Sequence, residues 1–146
     1  MPRKELKKLK VKPLAFDSFG VRSMATYVES NDLKVVIDPA AALGPRRYKL
    51  PPHPLEVERL QEAWADIKKH AAKSDILVVT HYHYDHHDPE EGEVFRNKTV
   101  YLKDPKKNIN KSQQVRASYF LKKLDGLTES IVIADSKEFQ HGSTVV

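Results

Sequence analysis

A chain of 146 residues, 40% apolar and 31% charged, has room for one domain with a real core but not for two full-sized ones. It contains no cysteine, which excludes a disulfide scaffold, a cysteine zinc finger, an iron–sulfur cluster and a cysteine nucleophile. The net charge of +5 is concentrated in residues 1–12 (six Lys/Arg, one Glu) and 96–123 (nine Lys/Arg, one Asp), so both stretches read as solvated basic surface or as attractors of an anion.

Residues 1–10 read as a basic extension, and residues 11–146 as a single domain. Residues 11–16 predict a strand, followed by a turn at 18–20. Residues 24–29 and 34–37 predict two more strands, joined by the turn signal Asn31-Asp32. Three strands this close together suggest an antiparallel meander. Residues 39–54 form a loop with five prolines, which also carries Arg46, Arg47 and His53. Pro54 suits the first turn of a helix. Val57, Leu60, Trp64, Ile67 and Ala71 then recur at steps of three and four, which predicts one apolar stripe to about residue 73. Residues 76–80 are a continuous apolar run of the kind found in a buried central strand. A helix leading into a buried strand implies a layered α/β domain. Further on, residues 99–102 predict a strand, 115–124 a helix capped at Gly126, 131–134 a strand, and 139–146 a hairpin turning at His141-Gly142.

No apolar run approaches the ~18 residues a membrane span needs, and no such run follows the basic N-terminus as in a secretory signal. A soluble, cytoplasmic protein with no membrane partner is the expectation.

The segment after the central strand holds four of the seven histidines. His81, His83, Asp85 and His86 spell H-x-H-x-D-H, which a chain of this composition contains by chance only about once in a thousand. His81 and His83 sit two apart at a strand end, so their rings can point the same way. Asp85 and His86 follow as the chain leaves the sheet and can turn toward a neighbouring point. Imidazole nitrogen with carboxylate oxygen suits zinc, and also manganese or iron. Two pairs of ligands could seed two adjacent metals, with Asp85 also able to orient or deprotonate a water. Tyr82 and Tyr84 alternate with the histidines and read as packing residues. His87 reads as support for the cluster or as solvent-facing rather than as a ligand.

This strand running into His81, His83, Asp85 and His86 resembles the metallo-β-lactamase superfamily of metal-dependent hydrolases. The apolar strand 35–37 ending at Asp38-Pro39 strengthens the resemblance. Residues 20–27 with 81–89 resemble an uncharacterised archaeal branch of that superfamily. The resemblance implies an αββα sandwich, of which this chain would supply the N-terminal half: a mixed sheet with helices on one face. It further implies a first metal on His81 and His83 and a second on Asp85 and His86, most simply two zinc ions. Asp38 would orient a ligand histidine, although alone it reads equally as a strand-ending cap. The implied activity is hydrolysis by a metal-activated water, with an ester, thioester, amide or phosphodiester as substrate. The superfamily completes its site with a further histidine, a bridging aspartate and a last histidine downstream, whereas here only His87 and His141 follow the motif. The expectation is therefore an incomplete site, with a homodimer or a C-terminal partner segment supplying the rest and covering an unfinished edge strand.

Arg46 and Arg47 are candidates for binding an anionic substrate group. The basic stretch 106–116 would suit nucleic acid, as in a nuclease or phosphodiesterase of the same fold, but has no stacking aromatic within it. A non-catalytic metal-binding fragment is the remaining alternative.

Overall fold

The computed structural model describes residues 8–46 and 48–146. Most of the basic extension, residues 1–7, and Arg47 lie outside the described residues.

Six strands form one mixed sheet in the order β1-β2-β3-β4-β5-β6. β1 (Lys10–Phe16), β2 (Met24–Glu29) and β3 (Lys34–Ile37) are the antiparallel meander. β1 is an edge strand, which explains how it accommodates Pro13, a residue with no backbone N–H to give. β4 (Ile76–Val79), β5 (Thr99–Leu102) and β6 (Ser130–Ile133) continue parallel to β3. Parallel neighbours need crossovers. The helix α1 (Pro54–Ala72) supplies one between β3 and β4, and α2 (Lys111–Leu124) another between β5 and β6.

Both helices lie on one face. Ala63, Ile67 and Ala71 of α1, Ala117, Phe120 and Leu124 of α2, and Phe95 from a 3-10 segment pack with Val36, Leu77, Val79, Val100 and Leu102 into the main core. The opposite face is smaller. Val35, Ile76 and Tyr101 lie there under Phe139 and Val146 of a C-terminal hairpin, β7 (Gln140–His141) and β8 (Thr144–Val145). Residues 144–146 therefore do not form an unfinished edge of the main sheet. They pair with the preceding strand, and Tyr101 packs on Phe139 at 4.5 Å.

Three local expectations need correction. α2 begins four residues before position 115, because the Asn110 side chain accepts from Gln113 N at 2.9 Å and starts the helix through a polar turn that apolar periodicity could not reveal. Val57 is exposed, since the buried stripe of α1 takes hold only from Leu60 onward. Tyr84 is exposed rather than packed, with the Arg116 guanidinium 4.6 Å from its ring.

The three histidines outside the motif segment have structural partners. His53 caps α1, accepting from Leu55 N at 3.1 Å while Glu56 closes a capping box. His70 is buried against Tyr27. His141 meets the Tyr101 hydroxyl at 2.8 Å.

Candidate functional site

β3 and β4 run parallel, with Ile37 opposite Val78, so their carboxyl ends emerge side by side at one rim of the sheet. In open α/β sheets ligands bind beyond such ends. Asp38 leaves β3 there, and Thr80 to His87 leave β4.

Asp38 is buried, and its carboxylate ties the two strand ends together. Oδ1 accepts from Thr80 N at 2.8 Å, and Oδ2 accepts from Thr80 Oγ1 at 2.8 Å and from His86 Nδ1 at 2.7 Å. Its backbone is left-handed, with φ 52°, a conformation that aspartate tolerates better than most residues. Its own N–H reaches Val78 O at 2.7 Å, which pins the strained position to β4.

The four motif residues meet pairwise. His81 Nε2 and His83 Nδ1 are 3.1 Å apart. His86 Nε2 and Asp85 Oδ2 are 3.5 Å apart. The His81 and His86 ring centroids are 3.7 Å apart, with the ring planes inclined at 50°. Among the described residues no group of three or more His, Asp or Glu is disposed to hold a metal ion.

The hydrogen bonds assign the tautomers. Thr80 Oγ1 gives its proton to Asp38, so at 3.3 Å it can only accept from His81 Nδ1, which leaves His81 Nε2 to accept from His83 Nδ1 at 3.1 Å. His86 gives its Nδ1 proton to Asp38, and its Nε2 faces Asp85 Oδ2 at 3.5 Å. Burial and the neighbouring imidazoles His86 and His83 push the His81 pKa down. Burial also opposes charge on His86, but the hydrogen bond and charge of Asp38, helped by Asp85, outweigh it and lift its pKa, with Arg22 acting against them.

His87 points the other way. It is fully buried against Phe120, 4.7 Å between ring centres, and against Tyr82, with Nδ1 donating to His83 O at 3.1 Å. Its Nε2 has no hydrogen-bond partner among the described residues, and burial drives its pKa down to about 4. It backs the loop rather than facing the rim. Tyr82 anchors the same loop, its hydroxyl donating to Lys103 O at 2.5 Å and its N–H to Gln113 Oε1 at 3.0 Å.

Arg46 lines a cavity with Arg22, away from the basic stretch of α2. Thr80 and Arg22 were missed in the sequence. Thr80 had a signal, a hydroxyl between an apolar strand and a histidine. Arg22 had none, because its place depends on the pairing of residue 22 with Ala42, a long-range contact.

The chain is similar to archaeal proteins carrying the name UPF0282 protein. It is 53% identical to the one from Korarchaeum cryptofilum over 139 residues and 53% identical to that of Sulfurisphaera tokodaii over 140. The Metallosphaera sedula protein is 50% identical over 140 residues. These matches cover 93–94% of this chain but 45–46% of the relatives, so the chain spans about half the length of the curated relatives it matches. No family model and no solved structure matches the chain.

Proposed function

We propose that this chain carries the metal-binding part of a metal-dependent hydrolase of the metallo-β-lactamase type. The observation that carries the reading is the pairing of donor atoms at the strand ends, His81 Nε2 with His83 Nδ1 and His86 Nε2 with Asp85 Oδ2, with His86 fixed from behind by the buried carboxylate of Asp38. Two nitrogens held about 2.0–2.1 Å from one tetrahedral zinc lie about 3.3 Å apart. The 3.1 Å between His81 Nε2 and His83 Nδ1 matches that spacing. The 3.5 Å between His86 Nε2 and Asp85 Oδ2 suits a second ion equally. Asp38 behind His86 is the carboxylate partner that metal-binding histidines commonly have.

His81 and His83 would hold one ion, and Asp85 and His86 the other. When bound, divalent ions acidify water and polarise the oxygen of a scissile bond. The chain's own contributions are specific. Asp38 holds His86 in the tautomer that presents Nε2. Thr80 does the same for His81. Asp85, partly exposed, would accept a proton from water at the rim. Two pairs of ligands leave each site open, and the reading assigns the further ligands to sequence that the longer relatives possess, or to a second copy. The αββα sandwich is part of the same proposal: the observed sheet, with helices on one face, would be one half of it.

Elemental analysis of the purified chain, together with turnover of p-nitrophenyl esters and phosphodiesters, tests the reading. Zinc, manganese or iron should copurify and be lost in the double variant His81→Ala/His83→Ala, along with any turnover. A metal-free protein whose metal uptake and turnover are indifferent to that variant would end the proposal. Metal binding without turnover would leave a binding module in place of an enzyme.

A further inference from the structure

A cavity of about 940 Å³ opens between the turn before β2 and the proline loop. It lies within the size range of small-molecule sites. Arg22 exchanges two backbone hydrogen bonds with Ala42, of 2.8 and 2.9 Å, and Ser23 Oγ donates to Ala40 O at 2.6 Å, so the segment leaving Asp38 forms one side.

The lining divides into two chemistries. Leu43, Leu50, Pro51 and Pro52 give an apolar surface, and Arg22 and Arg46 give two guanidinium groups. Arg59 and Arg96 are paired with Glu62 and Glu93. Among the described residues, Arg22 and Arg46 ion-pair with no carboxylate. Two acids also lie in the wall, Asp17 accepting from Ser23 N and Glu56 from His53 N, and neither is within ion-pair distance of Arg22 or Arg46 among the described residues. Among the described residues no aromatic side chain lines the cavity, so it lacks the stacking platform a single-stranded nucleic acid would use. The apolar wall is equally unsuited to a polyanion backbone.

We infer that this cavity is a substrate subsite for a small amphipathic anion, with a phosphate or carboxylate group held by Arg22 and Arg46 and an apolar body lying on Leu43, Leu50 and the prolines. The assignment of the ligand as substrate rests on the hydrolase reading, since the scissile bond would then reach the rim at His81–His86. Two unpaired guanidiniums present planar forks that match either oxyanion. A neutral apolar ligand would make no use of either guanidinium.

The test is titration of the ¹⁵N-labelled chain with octyl phosphate, octanoate and octanol, each below its micelle concentration. One or both anions should shift the amides of Gly20, Gly44 and Leu50, and octanol should bind far more weakly. The tighter of the two anions names the group recognised. Arg22→Gln and Arg46→Gln should each weaken anion binding about tenfold or more, while Arg22→Lys and Arg46→Lys retain part of it. Both side chains are exposed, so folding should survive, as circular dichroism would verify. The double variant His81→Ala/His83→Ala separates this inference from the metal reading, because anion binding should stay within about threefold while metal uptake is lost. Equal binding of octanol, binding indifferent to both arginines, or no binding by any probe would overturn the inference.

Discussion

Replacing Asp38 by asparagine is the sharpest perturbation of the site's frame. The two side chains have the same shape, and both tolerate the left-handed backbone with φ 52° at this position. The amide oxygen can still accept from Thr80 N, as Oδ1 does now at 2.8 Å. The amide nitrogen, however, would bring a donor to a point where Thr80 Oγ1 and His86 Nδ1 already donate, at 2.8 and 2.7 Å. The Thr80 hydroxyl can rotate and accept. His86 can comply only by moving its proton from Nδ1 to Nε2. Hydrogen bonds to a charged group contribute about 1.5–3 kcal/mol each, and here the three bonds from Thr80 N, Thr80 Oγ1 and His86 Nδ1 are replaced by weaker ones to a neutral amide in a buried setting. The expected loss is about 2–3 kcal/mol, read by urea unfolding at pH 7 in the presence of a chelator. The same variant should show the His86 ring with its proton on Nε2 in imidazole ¹⁵N spectra, and its metal affinity should fall about 10–100-fold. A loss below about 0.5 kcal/mol, with the proton still on Nδ1, would refute this account of Asp38.

Other expectations concern the backing of the loop. His87 is neutral in the fold, with its pKa lowered from 6.5 to about 4, so the unfolded chain takes up a proton first as pH falls. Its contribution is intact above pH 6.5 and shrinks progressively down to pH 4, by about 3 kcal/mol in all; His87→Phe should flatten that part of the metal-free chain's stability profile, and an unchanged acid slope would count against the assignment. Phe120→Ala removes the ring that packs on Tyr82, His87 and Phe95, and should cost about 3–5 kcal/mol in urea unfolding. Tyr82→Phe deletes only the hydroxyl donated to Lys103 O and leaves that carbonyl without it, so about 1 kcal/mol is expected, with metal binding preserved.

Much of the sheet was legible because its strands announce themselves locally. Residues 24–29, 34–37 and 99–102 carry β-branched runs bounded by turn residues, and the observed strands coincide with them. The continuous apolar run at 76–79 marked the central strand, since a strand with neighbours on both sides and layers on both faces has no polar side to show. The start of α2 was hidden because its first turn is polar and its signal is a single capping Asn110. The candidate site divides in the same way. His81, His83, Asp85 and His86 were visible as a local motif. The strand-end Asp38 could be suspected, but its contacts with Thr80 and His86 depend on β3 lying beside β4. The burial of His87 beneath the loop and the placing of Arg22 and Arg46 in the wall of one cavity are products of packing, and no local pattern encodes them.

Zinc titration of the ¹³C/¹⁵N-labelled chain, read at the imidazole nitrogens, tests the central claim most directly. Metal bound at the strand ends should shift Nε2 of His81, Nδ1 of His83 and Nε2 of His86, with the His86 proton held on Nδ1 against Asp38. Signals from His53, His70 and His141, each occupied elsewhere in the fold, should remain still. Zinc that moves those three and leaves His81, His83 and His86 unchanged would contradict the account.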